Sequence, residues 1–133
     1  MIEDGIVQLV QSDATVLAQC PLGGFYLTLP KGTPLPSWSY QVISEPTEYA
    51  HAGRTDLTER RLQIDIYGMG GAEVLNLARA IDNVLSGYHG VLPDPQATRV
   101  QGIFRDNEID LFDDASRTYR RMIEFFVNYD NLG

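Results

Sequence analysis

With 133 residues the chain is long enough for one domain that buries a single core. Its 44% hydrophobic and 21% charged residues give the balance of a soluble globular protein and exclude a disordered one. With 18 acids against 10 bases the net charge is −8, which repels phosphate backbones and excludes tight nucleic-acid binding.

In chain order, Ile2, Ile6, Leu9 and Val10 fall at helical spacing behind Glu3 and Asp4, which suit the positive end of a helix dipole. Ser12 or Asp13 can cap a second short helix through Val16 and Leu17, stopped by Pro21. Gly23-Gly24 leads into FYLTL, read as a short strand, and a loop with Pro30, Pro34 and Pro36 follows. WSYQVIS, rich in aromatic and β-branched residues, reads as a strand. The polar stretch EYAHAGRTDLTE then runs into RRLQIDIYG, where Leu62, Ile64 and Ile66 face one way and Arg61, Gln63, Asp65 and Tyr67 the other. Beyond GMGG the period changes. Val74, Leu77, Ala78, Ile81 and Leu85 define one face of an amphipathic helix, with Gly87 as its C-terminal stop. TRVQGIFR reads as a strand, and IDLFDDASRTYRRMIEFFVNYD as two strands with Asp113 to Ser116 at the turn between them.

The last strand points Ile123, Phe125 and Val127 to one face but Met122 and Phe126 to the other. The only available helices are one long and one or two short. They cover one face, so the other is covered either within the chain or by a second chain, and the short supply of helices favours the second chain. The fold expected over residues 1–133 is α+β: one domain with a mainly antiparallel sheet and helices packed on one face.

Most candidate chemistry dissolves on inspection. In GMGGAE the sixth position of a dinucleotide fingerprint is Glu73, whose carboxylate competes with a phosphate at the helix start, so the segment is a turn. DNEIDLFDD has the first half of a calcium loop, but Leu111 stands where the glycine belongs and Arg117 where the last carboxylate belongs. Cys20 is the only cysteine, which excludes an intrachain disulfide and a Cys-based zinc site and fits production in a reducing cytoplasm. His51 and His89 have no partner at ligand spacing, and no nucleophile signature accompanies them. No metal, cofactor or catalytic residue is expected. No apolar run approaches the roughly 18 residues of a membrane span, and MIEDGIVQL has acids where a secretory leader needs bases. Arg60, Arg61, Arg117, Arg120 and Arg121 are expected to be neighbours across paired strands, with carboxylates opposite them in the same sheet or the next subunit.

The order of these features resembles the tail completion proteins of long-tailed bacteriophages, also called tail terminator or tail-to-head joining proteins. The likeness runs through residues 34–130. It rests on Pro36 and Tyr40, on Gln63, Ile64 and Asp65, on Ala78, Ile81, Leu85 and Gly87 of the helix, and on Tyr119, Arg121, Phe125 and Tyr129 of the last strand. The GMGG turn and the Pro-rich loop after Lys31 depart from the family pattern. The resemblance implies a structural virion protein at the head-proximal end of the tail, assembled in the host cytoplasm. Its subunits form a ring, commonly a hexamer, which caps the tail tube, ends its polymerisation and docks the head-tail connector, while DNA passes through without specific binding. On that reading the polar segment is an arm. His51, Arg54, Asp56 and Glu59, together with Arg61, Arg121, Met122 and Phe126, are the expected contacts to tube or neighbour. Competing readings are an adaptor or stopper of the same neck, a small cytoplasmic enzyme using the loop from His51 to Glu59, and a monomeric ligand-binding domain.

Overall fold

The structure is a computed structural model that describes residues 2–43, 47–51, 54–95 and 97–130. Ten elements follow in order: α1 (Ile2–Gln11), α2 (Ala14–Gln19), β1 (Gly24–Tyr26), β2 (Ser37–Val42), β3 (Thr47–His51), β4 (Arg54–Gly68), α3 (Gly71–Leu85), β5 (Gly90–Val91), β6 (Arg99–Asp113) and β7 (Thr118–Asp130). The strands form one sheet in the order β1-β2-β4-β7-β6-β5, with β3 paired to the first half of β4. All pairings are antiparallel except β1 with β2. The α+β architecture with a mainly antiparallel sheet is the one expected.

Helix α3 lies on the sheet and the two shorter helices pack on α3. Its buried face holds Val74, Leu77, Ala78, Ile81 and Leu85, the residues that the helical period picks out, plus Ala80. Gly87 follows the helix with φ +79°, a left-handed conformation that glycine adopts without strain, and its N–H donates to the Ile103 carbonyl at 2.9 Å. The helix start is held by Glu73, whose side chain accepts from the Met69 N–H. Asp13 caps α2 by accepting from the Val16 N–H at 3.1 Å. In α1, Ile6, Val7 and Val10 are buried; the Ile2 side chain lies outside the described residues. Against these helices the sheet presents Trp38, Leu62, Ile64, Ile66, Ile123 and Phe125, each all but fully buried.

Three expectations need correction. The first strand is only Gly24–Tyr26, ended by Leu27, whose φ of +68° no strand continues. It runs parallel to β2, because the chain from 27 to 36 is a crossover and not a hairpin turn. The polar lead-in is likewise no loop: Thr47–His51 is a strand that pairs with β4 from Thr47↔Glu59 to His51↔Arg54, making a hairpin. Its sequence is polar at successive positions, so it carries no alternation signal. The arginines are not neighbours across β4 and β7. Arg61 stands opposite Phe126, whereas Arg120 stands opposite Tyr67. Two antiparallel strands that both begin with arginine place those arginines at opposite ends of the ladder.

Candidate assembly surface

The sheet face away from the helices is where the sequence-derived contacts gather. On it lie Glu59, Arg61, Gln63, Asp65 and Tyr67 of β4, with Arg120, Met122, Glu124 and Phe126 of β7 opposite them. Its centre is polar yet covered. Asp65, 2% exposed, accepts from Nε and an Nη of Arg120 at 3.1 and 2.9 Å and from Gln63 Nε2 at 3.0 Å. The Arg120 guanidinium also stands 5.6 Å from the Tyr67 ring centroid. Nearer the other end, Arg61 lies 4.4 Å over the Phe126 ring and 3.8 and 3.7 Å from Glu124 and Asp106. The carboxylates opposite the arginines thus belong to the same sheet.

Of the expected contacts, Arg61, Met122 and Phe126 come together on this face, and Glu59 lies further along it. Arg121 is placed elsewhere, on the helix side, where Asp110 accepts from its Nε and Nη at 2.6 and 3.0 Å and Glu108 stands at 3.7 Å. His51, Arg54 and Asp56 flank the turn of the β3–β4 hairpin. Their side chains, and residues 52–53 of the turn itself, lie outside the described residues. The acids of the calcium-like stretch do not converge: Asp106 pairs with Arg61 on one face of β6, Asp110 with Arg121 on the other.

Residues that sequence reasoning missed lie on β6. Phe104, Ile109 and Leu111 are exposed on the same face as Met122 and Phe126, and extend the apolar row outward. The signal was present as alternation against Glu108 and Asp110, but it reads as a solvated strand unless the apolar half is followed as well. On the helix side, Phe112 and Tyr119 stack at 4.7 Å beside a groove of about 430 Å³ that also meets Val74, Leu75 and Arg121. Asp110 and Arg121 of that groove stabilise each other: the hydrogen bond from Arg121, outweighing burial, holds the Asp110 carboxyl below its usual range, and Asp110 raises Arg121. That is the arrangement of a structural ion pair, not of a poised acid or base.

The pair sets a pH dependence. A carboxyl depressed in the folded state stabilises fully above its unfolded value of about 4, and that contribution is lost as pH falls through the lower folded value. Asp110→Asn is therefore expected to be less stable than the parent at pH 7, with the gap closing below about pH 4. The side chain of Asp110 is mostly exposed, so the gap at pH 7 is at most about 1 kcal/mol. Denaturation curves of both chains across pH check this; a gap that widens in acid contradicts it.

A family model described as tail completion protein gp17 matches residues 4–130. The chain belongs to that family. The tail completion protein is thus a structural component of the phage tail. Among solved structures it is similar to a chain of the virion of a native gene transfer agent particle, with TM-score 0.77 and 17% identity over 97% of this chain and 94% of that one. At that identity the likeness establishes the fold. No curated protein sequence matches the chain. Among the described residues no helix is long and apolar enough to cross a membrane.

Proposed function

We propose that this tail completion protein forms a ring, six copies in the number the resemblance implies. The ring caps the finished tail tube at its head-proximal end, stops tube growth and offers the docking surface for the head-tail connector. The observation that carries the reading is the apolar row of Phe104, Ile109 and Leu111 beside Met122 and Phe126, left open on the sheet face without helices in a chain of this family. A net charge of −8 supports a channel that DNA crosses without binding.

The decisive measurement is mass by light scattering over a concentration series, with negative-stain images of the most concentrated sample, repeated with purified tail tubes. Closed rings of about six copies, free or seated on tube ends, are the expected outcome. A chain that stays monomeric and leaves tubes uncapped refutes the proposal, and capping at a site other than the tube end indicates an adaptor or stopper.

The β3–β4 hairpin is assigned the role of an arm that reaches tube or neighbour, since its two strands carry the polar residues His51, Arg54 and Asp56 beside the turn. Reversing the charges of Arg54 and Glu59 together is expected to cut tail joining at least about tenfold while the melting temperature stays within a few degrees. Full joining by the reversed chain removes the arm from the contact.

A further inference from the structure

The sheet is open and has two edges. On one, β6 is paired along its outer side only at Arg99 and Val100, with β5, so that among the described residues no strand lies against it from Phe104 to Asp113. An edge of that length offers a row of backbone donors and acceptors to another strand. The other edge is formed by β1 with its flanks and by β3, which pairs with β4 beyond the end of β2; at β1, Leu22, Tyr26 and Leu27 are each more than half exposed. Eight of the eleven exposed large hydrophobics among the described residues lie at β1 with its flanks or on the β6–β7 hairpin. Apolar surface is thus concentrated at the two ends of a single sheet.

The charges of the two ends differ. Residues 104–119 of the hairpin carry five carboxylates against Arg105 and Arg117. Residues 14–44, which contain β1 and its flanks, hold no Asp or Glu and one base, Lys31, in a chain with 18 acids. Pairing β6 with the β6 of another copy sets acids against acids, and β1 is only three residues long and supplies little to a second β1. The acid-free edge facing the acidic edge avoids both problems. Such a head-to-tail contact between unlike surfaces is the kind that closes into rings.

We infer that the β1 edge of one copy, from Leu22 to Leu27, packs along the free β6 edge of the next. The contact buries the apolar row of Ile109 and Leu111 and continues the sheet across the subunit boundary. The inference rests on the ring reading and specifies its contact.

The test uses two full-length variants at exposed positions, Leu27→Asp on one edge and Ile109→Asp on the other. Aspartate tolerates the left-handed conformation at position 27, so both chains are expected to melt as the parent does. Each alone is expected to associate, or to cap tubes, at least about tenfold more weakly, because each sets a new carboxylate inside the contact. Mixed in equal amounts, they are expected to form a species of two copies, one of each, and to stop there. The intact β6 edge of the first variant meets the intact β1 edge of the second, and both outer edges are blocked. If both variants build parental rings, the contact is elsewhere and the ring reading survives. If one variant dimerises with itself, the contact is symmetric and the inference is wrong. If the parent chain neither forms rings nor caps tubes, the ring reading falls and this inference with it.

Discussion

Arg120→Met lowers the stability of the subunit by about 3–5 kcal/mol, the usual cost of leaving one member of a buried pair without the other. Asp65 is 2% exposed and takes both Arg120 hydrogen bonds on one oxygen; without them the carboxylate keeps only the Gln63 amide. The converse change, Asp65→Asn, is expected to cost less, since Arg120 is about a third exposed and can turn its charge to water. Arg120→Lys retains the charge but not the fork that reaches Asp65 from two nitrogens, and should fall between wild type and the methionine variant. Replacing both members, Asp65→Leu with Arg120→Met, is expected to recover most of the loss, because the penalty belongs to the stranded charge. Denaturant unfolding with an unchanged m value measures all four. A methionine variant within 1 kcal/mol of the parent would show that the network is solvated and its burial irrelevant.

The second large effect is at Trp38. The indole is fully buried beneath the helices, opposite Ile66, and its edge lies under the backbone of Gly24. Trp38→Ala is expected to cost about 3–5 kcal/mol through lost burial and the cavity left behind. Gly24→Ala attacks the same contact from above: a Cβ there would stand 2.6 Å from the ring, so β1 or the indole must shift, at about 1–3 kcal/mol. The two changes must be coupled. In a Trp38→Phe background the smaller ring leaves room, and Gly24→Ala should become nearly neutral. Independent, additive losses in that double-mutant cycle would show that the close approach does not constrain β1.

How much of this was legible in the sequence depends on how each element is buried. Helix α3 and the strands β4 and β7 bury an apolar face against the core, so their periods of 3.6 and 2 stand out, and β2 is legible from its aromatic and β-branched residues; the fold class follows from these. Strand β3 has polar residues at successive positions and, among the described residues, pairs only with β4, which hid it inside a supposed loop. Strand β5 has two residues, too few for any period. The arginine strip failed for a different reason: residue types were matched without applying the direction of the ladder. At the candidate site, alternation placed Arg61, Met122 and Phe126 on one face correctly. It also separates Arg121 from them, one residue from Met122 and hence on the opposite side.

The core described above closes within one chain, with Val10, Val16, Trp38, Leu77, Ile81 and Phe125 sealed on the helix side of the sheet. Among the described residues, these side chains are buried without help from a neighbour. On the proposed reading a subunit of this kind holds its fold before it meets a neighbour, so dilution separates the copies without unfolding them. If the proposed ring forms, completion of the tail is timed by the meeting of ready-made parts and not by the folding of any one of them.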